Sequence, residues 1–264
     1  MNIRIFSSRH YYTGEAQAAS QTFATASHSS QSSSEDPARI LADDKDSSSL
    51  NLNEQERLLR QQALNNARQG KYAEGIALLN TLIHRNPDNA AHYNNRGLLH
   101  FQNNQFEEAL ADYDRALQLN PRLAKVYNNR ANCYASLGFL AEAIADYETA
   151  LDLDPSNIRA WINQGITFRD LEMYGQAINN FELALRFNQI LQKPDEASAS
   201  ILEGHIYAER GRAYHLAGDW NCAVADYRRA LLILPEPQLP AAKVSYRLRS
   251  QVQNWLNDLL KPLG

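Results

Sequence analysis

Apolar and small residues recur through the middle of the chain with a period of 34 residues. In the clearest unit they occupy seven places: Tyr93, Gly97, Phe106, Ala109, Tyr113, Ala116 and Pro121. One period later the same places hold Tyr127, Ala131, Leu140, Ala143, Tyr147, Ala150 and Pro155. Neither helical stripe of a unit can bury itself alone, so the pattern predicts pairs of antiparallel helices that stack on their neighbours.

Three further units extend the pattern with changes. The unit that follows Pro155 holds Gln189 where a proline is due, and a fifth unit ends at Pro235 after 12 extra residues. A looser first unit ends at Pro87. The predicted units are therefore residues 56–89, 90–123, 124–157, 158–191 and 204–237, with an insert at 192–203.

Proline and glycine mark the predicted helix ends. Proline cannot continue a helical hydrogen-bond ladder but fits a first helical turn, so it separates one unit from the next. Gly70, Gly138 and Gly218 fall in the turns inside the units, where a helix C-terminus favours positive φ.

The insert admits two interpretations. Pro194 followed by Asp195 is a good helix start, which predicts one long helix from Asp195 to about Leu216 whose first turns project at one rim of the repeat array. The alternative is a tolerated loop insertion.

Residues 238–264 carry a last amphipathic stripe, which includes Trp255 and Leu259. A repeat array must cover its exposed final unit, so a capping helix is expected. The alternative is a helix that docks a partner or a second copy through Trp255 and Leu259.

Residues 1–53 are rich in serine and lack apolar periodicity, which predicts a disordered tail. Before Glu35 the only acidic residue is Glu15, and this balance is faintly like an organelle transit peptide. We expect a cytoplasmic protein. The alternative, which rests on the transit-like segment, is an organelle such as the plastid.

Composition and motifs exclude several function classes. The formal net charge of −4 argues against general nucleic-acid binding, and no apolar run is long enough to span a membrane. Cys133 and Cys222 lack CxxC partners, and His84, His92 and His100 lack a metal-binding motif. No phosphate-binding or nucleophile motif occurs, so we predict no enzyme, no cofactor and no metal.

These repeats resemble the tetratricopeptide repeat (TPR) family over about residues 56–237. The resemblance implies an all-α, right-handed superhelical solenoid whose concave groove, lined by the first helix of each unit, binds proteins. The sequences Tyr-Asn-Asn-Arg-Gly at 93–97 and Tyr-Asn-Asn-Arg-Ala at 127–131 look like bacterial, particularly cyanobacterial, and plastid TPR proteins. Several of those act in photosystem assembly.

Asparagine recurs on the predicted first helices. Asn95, Asn129 and Asn163 are spaced by one period, and Asn94 and Asn128 accompany the first two. An amide is both donor and acceptor, so such a row can bind the backbone of an extended peptide whatever its sequence. TPR proteins of the O-linked N-acetylglucosamine transferase type carry a similar asparagine ladder. The alternative is a tolerated surface residue in a duplicated repeat.

TPR proteins that bind chaperone C-termini offer a stricter comparison. When the five positions of their carboxylate clamp are aligned with the first three units, they correspond to Arg60, Leu64, Asn95, Lys125 and Asn129. Three of these five positions carry a residue type that the clamp requires. The missing second cation argues against a chaperone C-terminus as the ligand but leaves a weaker acidic contact near Lys125 and Arg159. The complete candidate peptide-binding set is Arg60, Asn94, Asn95, Lys125, Asn128, Asn129, Asn132, Arg159 and Asn163.

Two functions follow from these observations. The first is a non-catalytic scaffold or assembly factor whose groove holds an extended peptide or partner protein. The second is a regulatory or targeting subunit of a larger enzyme complex, for example in photosynthetic complex assembly, that acts through the C-terminal helix.

Overall fold

The computed structural model describes residues 51–191, 197–234 and 243–261, and these residues form eleven helices and no strand. The predicted disordered tail and transit-like segment lie outside the described residues, apart from positions 51–53. The predictions of a disordered tail and of a compartment therefore stay predictions.

The chain divides into two compact units, of which unit 1 ends at Pro121. Its helices are α1 (Leu52–Arg68), α2 (Tyr72–Arg85), α3 (Ala90–Gln102) and α4 (Phe106–Leu119). Each packs against the next along the chain. The core between α1, α2 and α3 consists of small and aliphatic side chains: Ala63, Ala67, Leu79, Leu82 and Leu99.

Unit 2 begins at Arg122 and contains seven helices among its described residues. They are α5 (Ala124–Leu137), α6 (Leu140–Leu153), α7 (Ile158–Asp170), α8 (Tyr174–Leu191), α9 (Ala197–Ala217), α10 (Trp220–Ile233) and α11 (Lys243–Leu260). Neighbouring helices pack in order through the unit. The predicted all-α arrangement of antiparallel helix pairs is thus confirmed within each unit.

The predicted tail ends at residue 53, but the first helix already begins at Leu52. Asn51 forms a capping box with Glu54: the Asn51 side chain accepts from the Glu54 backbone N–H, and the Glu54 carboxylate accepts from the Asn51 N–H. Two N–H groups that the helix leaves unpaired are satisfied in this way, so α1 starts at Leu52.

The missing proline at Gln189 changes the length of one helix. The second helices α4 and α6 each have 14 residues and stop just before Asn120-Pro121 and Asp154-Pro155. In α8 nothing interrupts the hydrogen-bond ladder, and the helix runs for 18 residues to Leu191. Residues 197–203 of the insert are helical as well: α9 begins at Ala197 and has 21 residues, which confirms the predicted long helix over that range.

A left-handed residue occupies the turn inside every helix pair. The predicted glycines Gly70, Gly138 and Gly218 have φ of 76°, 86° and 84°. The two remaining turns use Asn104 and Glu172, with φ of 59° and 61°. Asparagine tolerates this conformation better than glutamate does, because its short side chain bonds locally.

Replacing Glu172 by glycine is expected to stabilise the protein by about 1 kcal/mol, because glycine adopts positive φ without a Cβ clash. Gly138→Ala is the reverse change and should destabilise it by a similar amount, since no neighbour lies within 4 Å of a Cβ built there and φ alone opposes alanine. Urea unfolding followed by circular dichroism measures both. Equal stability of Glu172→Gly and wild type would contradict the assigned turn conformation.

The last helix covers the end of unit 2. Leu248, Val252 and Leu256 of α11 are buried against α9 and α10. The Arg249 guanidinium donates to the carbonyl oxygens of Leu231 and Leu234 at the end of α10. The predicted capping role of this helix is confirmed.

Candidate functional site

The first helices of unit 2 place their asparagines side by side. Helices α5, α7 and α9 run in the same direction, because an antiparallel partner separates each from the next. Helix α7 also contacts both α5 and α9 directly. Asn132 on α5 is bonded to Asn163 on α7, and Asn128 lies one turn before Asn132 on α5, so these three residues define one surface of unit 2, which we call the amide face.

Two asparagines of the amide face are bonded to each other. Asn163 Nδ2 donates to Asn132 Oδ1 at 2.9 Å, and the Tyr147 hydroxyl donates to the same oxygen at 2.6 Å. Tyr147 is fully buried in the α5–α6 core, so it fixes the amide orientation of Asn132. This contact joins positions 31 residues apart in the sequence.

The bonded pair leaves two complementary groups. Asn132 uses its oxygen and keeps its NH2 group, whereas Asn163 uses one N–H and keeps its oxygen. One donor and one acceptor on adjacent helices match the C=O and N–H that an extended peptide presents.

The other predicted residues differ in accessibility. Asn94 and Asn129 are buried, with 5 % and 9 % of their surface exposed, so their amides serve mainly internal contacts. Asn95 and Asn128 are half-buried, and the side chain of Asn94 donates to Asn95 Oδ1 at 3.5 Å in unit 1. Arg60 is half-buried on α1.

Lys125 and Arg159 are exposed at equivalent places, each the second residue of its helix. A cation in the first turn is unfavourable against the helix dipole, so helix stability does not explain the recurrence. Both charges belong to the helices that carry Asn132 and Asn163.

Sequence reasoning missed a buried ionic cluster at the α9 side of unit 2. The Arg169 guanidinium, on α7, donates to the Glu209 carboxylate, on α9, and to Asp170 Oδ1 at 2.9 Å. His205 Nε2 lies 3.7 Å from the other Glu209 oxygen. Glu209 stands at the asparagine-ladder place of the fifth unit, and Arg169 offsets its charge.

Burial acts to raise the pKa of Glu209, but the Arg169 charge and the His205 contact outweigh it and lower the pKa from 4.5 to about 2. A lowered folded-state pKa gives stability that is present above about pH 4.5 and is lost as pH falls towards 2. We expect about 3 kcal/mol of acid-dependent stability from this group, at 1.36 kcal/mol per pKa unit.

Urea unfolding of wild type and Glu209→Gln at pH 6.5 and pH 3 checks this expectation. The difference in unfolding free energy between the two proteins should shrink by roughly 2 kcal/mol at pH 3, because the wild-type carboxyl is then largely protonated in the unfolded chain but still ionised in the fold. An unchanged difference would show that the charge of Glu209 is not stabilised in the fold.

A second set of ion pairs recurs inside the repeats. Arg96 bonds Asp112 in unit 1 through Nε and Nη2, at 2.8 and 2.6 Å. In unit 2, two pairs share this bidentate geometry, with N–O distances of 2.7 to 2.9 Å: Arg130–Asp146 and Arg210–Asp226. The aspartates are buried, so their role is to join the two helices of one repeat.

The remaining unit-2 repeat replaces this ion pair by a neutral one. Asn180 Nδ2 donates to Gln164 Oε1 at 2.7 Å, and both side chains are buried. The sequence carries a signal for the whole set, since partners are always 16 residues apart and the arginines keep the repeat phase. That spacing assigns the aspartates a structural role.

The C-terminal docking residues are used for internal packing. Trp255 is half-buried, with its ring 5.9 Å from the Tyr227 ring and the Arg212 guanidinium 5.2 Å from its centroid. Leu259 is half-buried as well. These contacts hold α11 against α9 and α10, as expected of a capping helix.

Among the described residues, no group of three or more His, Cys, Asp or Glu side chains is arranged to hold a metal ion. Cys133 is buried and Cys222 half-buried, both as free thiols. Within the same part of the chain, none of the helices is both long and apolar enough to cross a membrane.

Comparison with known proteins agrees with the repeat geometry. Three family models described as tetratricopeptide repeat match residues 60–124, 96–161 and 158–190. Residues 60–190 of the chain belong to the tetratricopeptide repeat family. The TPR fold supports a scaffold role in protein–protein interaction, and TPR modules are typically non-catalytic.

Solved TPR structures share this fold at low sequence identity. A thermophilic TPR protein of Thermus thermophilus is 16% identical with a TM-score of 0.59, over 76% of this chain and 99% of that chain. Two structures of MamA are 15% and 18% identical with TM-scores of 0.55 and 0.53, over 69% and 64% of this chain and 92% of each MamA chain. No curated protein sequence matches the chain significantly.

Proposed function

We propose that this TPR protein is a non-catalytic scaffold or assembly factor that holds an extended segment of a partner protein on the amide face of unit 2. One observation carries the proposal: the bonded pair of Asn132 and Asn163 presents one donor and one acceptor on adjacent first helices. Such a pair suits a peptide backbone and gives affinity without strict sequence demand.

Cationic side chains on the same two helices favour a ligand with a negative charge. Lys125 on α5 and Arg159 on α7 are exposed. A partner segment that carries an acidic side chain near the backbone groups bound by the asparagines therefore gains an electrostatic contact, which salt weakens by screening. The Arg169–Glu209 pair limits the site on the α9 side, because its charges are already bonded to each other.

Unit 1 offers a smaller site of the same chemistry. Asn95 is half-buried on α3, and Arg60 is half-buried on α1. We propose that unit 1 binds its own stretch of partner through these groups, with the buried Asn94 holding Asn95 in place.

The alternative function through the C-terminal helix has no observation in its favour. Trp255 packs on Tyr227 and Arg212, so it serves the cap. We therefore develop the groove proposal alone.

Affinity capture from the native cell identifies the partner. Wild-type protein and Asn95→Ala/Asn163→Ala are used as baits, and captured proteins are quantified by mass spectrometry. The proposal predicts that the specific partner is depleted on the double variant but retained by Asn179→Ala, which changes an exposed asparagine on the second helix α8. Equal capture by all three baits would exclude the asparagine faces as the binding site.

A further inference from the structure

The turns inside the helix pairs of unit 2 expose large apolar side chains. Phe139 and Met173 are 51 % and 38 % exposed at equivalent places just before α6 and α8. Trp220, the first residue of α10, is 56 % exposed. Leu171 and Leu216 add 39 % and 41 % at the ends of α7 and α9.

These turns lie along one edge of the unit. Helices α5, α7 and α9 run in the same direction and α7 contacts both of the others, so their C-terminal ends lie together. We call residues 137–142, 170–174 and 216–220 the turn edge of unit 2. It is separate from the amide face, which uses the sides of the first helices.

Turn geometry does not demand apolar residues at these places. In unit 1 the positions that correspond to Phe139, Leu171 and Met173 are polar: Gln69, Lys71, Asn103 and Gln105. Trp220 stands at the repeat place of Tyr72 and Phe106, which are half-buried, whereas Trp220 is exposed. Both sets of turns contain a left-handed residue and connect the same kind of helix pair. Phe139, Leu171 and Met173 therefore add exposed apolar surface that the fold itself does not need.

The turn edge is acidic as well as apolar. Glu142, Glu172 and Asp219 are exposed among the apolar side chains, and Asp170 lies beside them, bonded to Arg169. Within these three described turns there is no lysine or arginine. A complementary surface needs apolar side chains flanked by cations, and an anionic membrane surface would be repelled.

We propose that the turn edge of unit 2 docks a cationic amphipathic helix of a partner protein, whose apolar stripe covers Phe139, Met173 and Trp220 and whose lysine or arginine residues pair with Glu142 and Glu172. Aromatic and methionine side chains are the residue types that dominate such contacts. This second surface goes beyond the proposed amide-face function and does not depend on it.

The probe is a fluorescently labelled Leu/Lys peptide of about 18 residues with an amphipathic helical pattern, roughly 27 Å long as a helix. A Leu/Glu peptide of identical pattern is its matched control. Fluorescence anisotropy with the full chain should show binding of the Leu/Lys peptide and a dissociation constant at least about tenfold higher for the Leu/Glu peptide.

Two protein variants test the two components separately. Phe139→Ser/Met173→Ser/Trp220→Ser should weaken binding by about tenfold or more. Leu232→Ser, at a side chain of α10 that is 86 % exposed, should not. Glu142→Lys/Glu172→Lys should also weaken it, whereas Glu148→Lys/Asp152→Lys on the exposed side of α6 should not.

Three results of the peptide titrations would overturn the proposal. These are absence of Leu/Lys binding, unchanged binding by both turn-edge variants, and equal affinity for the Leu/Glu peptide. Binding to phosphatidylcholine vesicles without binding to the peptide would assign the edge to a membrane surface and overturn it too. Asn163→Ala, in the amide face, should leave peptide docking at the turn edge unchanged, so the two proposals fail independently.

Discussion

Replacing Arg169 by methionine is expected to lower the free energy of unfolding by about 3–5 kcal/mol, because it leaves the Glu209 carboxylate buried without its cation. Only 2 % of Glu209 is exposed, and its carboxylate accepts from the Arg169 guanidinium. Methionine keeps much of the arginine stem, so the loss reports the charge and not the packing. Urea unfolding followed by circular dichroism gives the value.

Arg159→Met is the matched control for that change. Arg159 lies on the same helix but is exposed, so its replacement should change stability by no more than about 0.5 kcal/mol. Arg169→Met/Glu209→Leu, which removes both charges, should recover most of the loss. Equal stability of Arg169→Met and Arg159→Met would contradict the assigned ion pair.

Replacing Phe181 by alanine is expected to cost about 3–5 kcal/mol, the usual penalty for deleting a fully buried aromatic ring. Phe181 has 0 % exposure and packs in one cluster with Ile162, Ile166 and Ile206 from α7 and α9. Its ring also fills the space beside Gly165, where a Cβ would come within 2.9 Å of Cε1. The ring therefore holds α7, the helix of Asn163, against α8 and α9.

The control for Phe181→Ala is Met173→Ala, at an exposed side chain in the turn before α8. Met173 is 38 % exposed, so its truncation should change the unfolding free energy by no more than about 0.5 kcal/mol. Thermal or urea unfolding of the two variants compares them directly. A cost below about 1 kcal/mol for Phe181→Ala would mean that the cluster does not hold α7, α8 and α9 together.

Much of the fold was predictable from the positions of proline and glycine and from the 34-residue repeat. Proline places set the ends of α4 and α6, and Gln189 in a proline place accounts for the extra turn of α8. Glycine placed three of the left-handed turns, but Glu172 carries no such signal because glutamate rarely adopts positive φ. The helical form of α9 was one of the two interpretations that the sequence of the insert left open.

The candidate site was less predictable, because a period shows which residues share a face but not which side chains touch. Asn163 and Asn132 are not at equal places in their repeats, so the ladder in the sequence did not predict their bond. The Arg169–Glu209 pair spans 40 residues and crosses the insert, where the 34-residue phase is broken. Burial of Asn94 and Asn129 likewise depends on neighbouring helices.

The most direct test of the amide-face proposal is the dissociation constant of the captured partner segment, measured as a synthetic peptide by isothermal titration calorimetry. Asn132→Asp keeps the oxygen that Tyr147 and Asn163 bond but removes the NH2 donor from the ligand. The account predicts binding weakened by about tenfold or more, as expected when a buried hydrogen bond is lost, whereas Asn179→Asp on the outer helix α8 binds like wild type. Equal affinity of the two variants would contradict it.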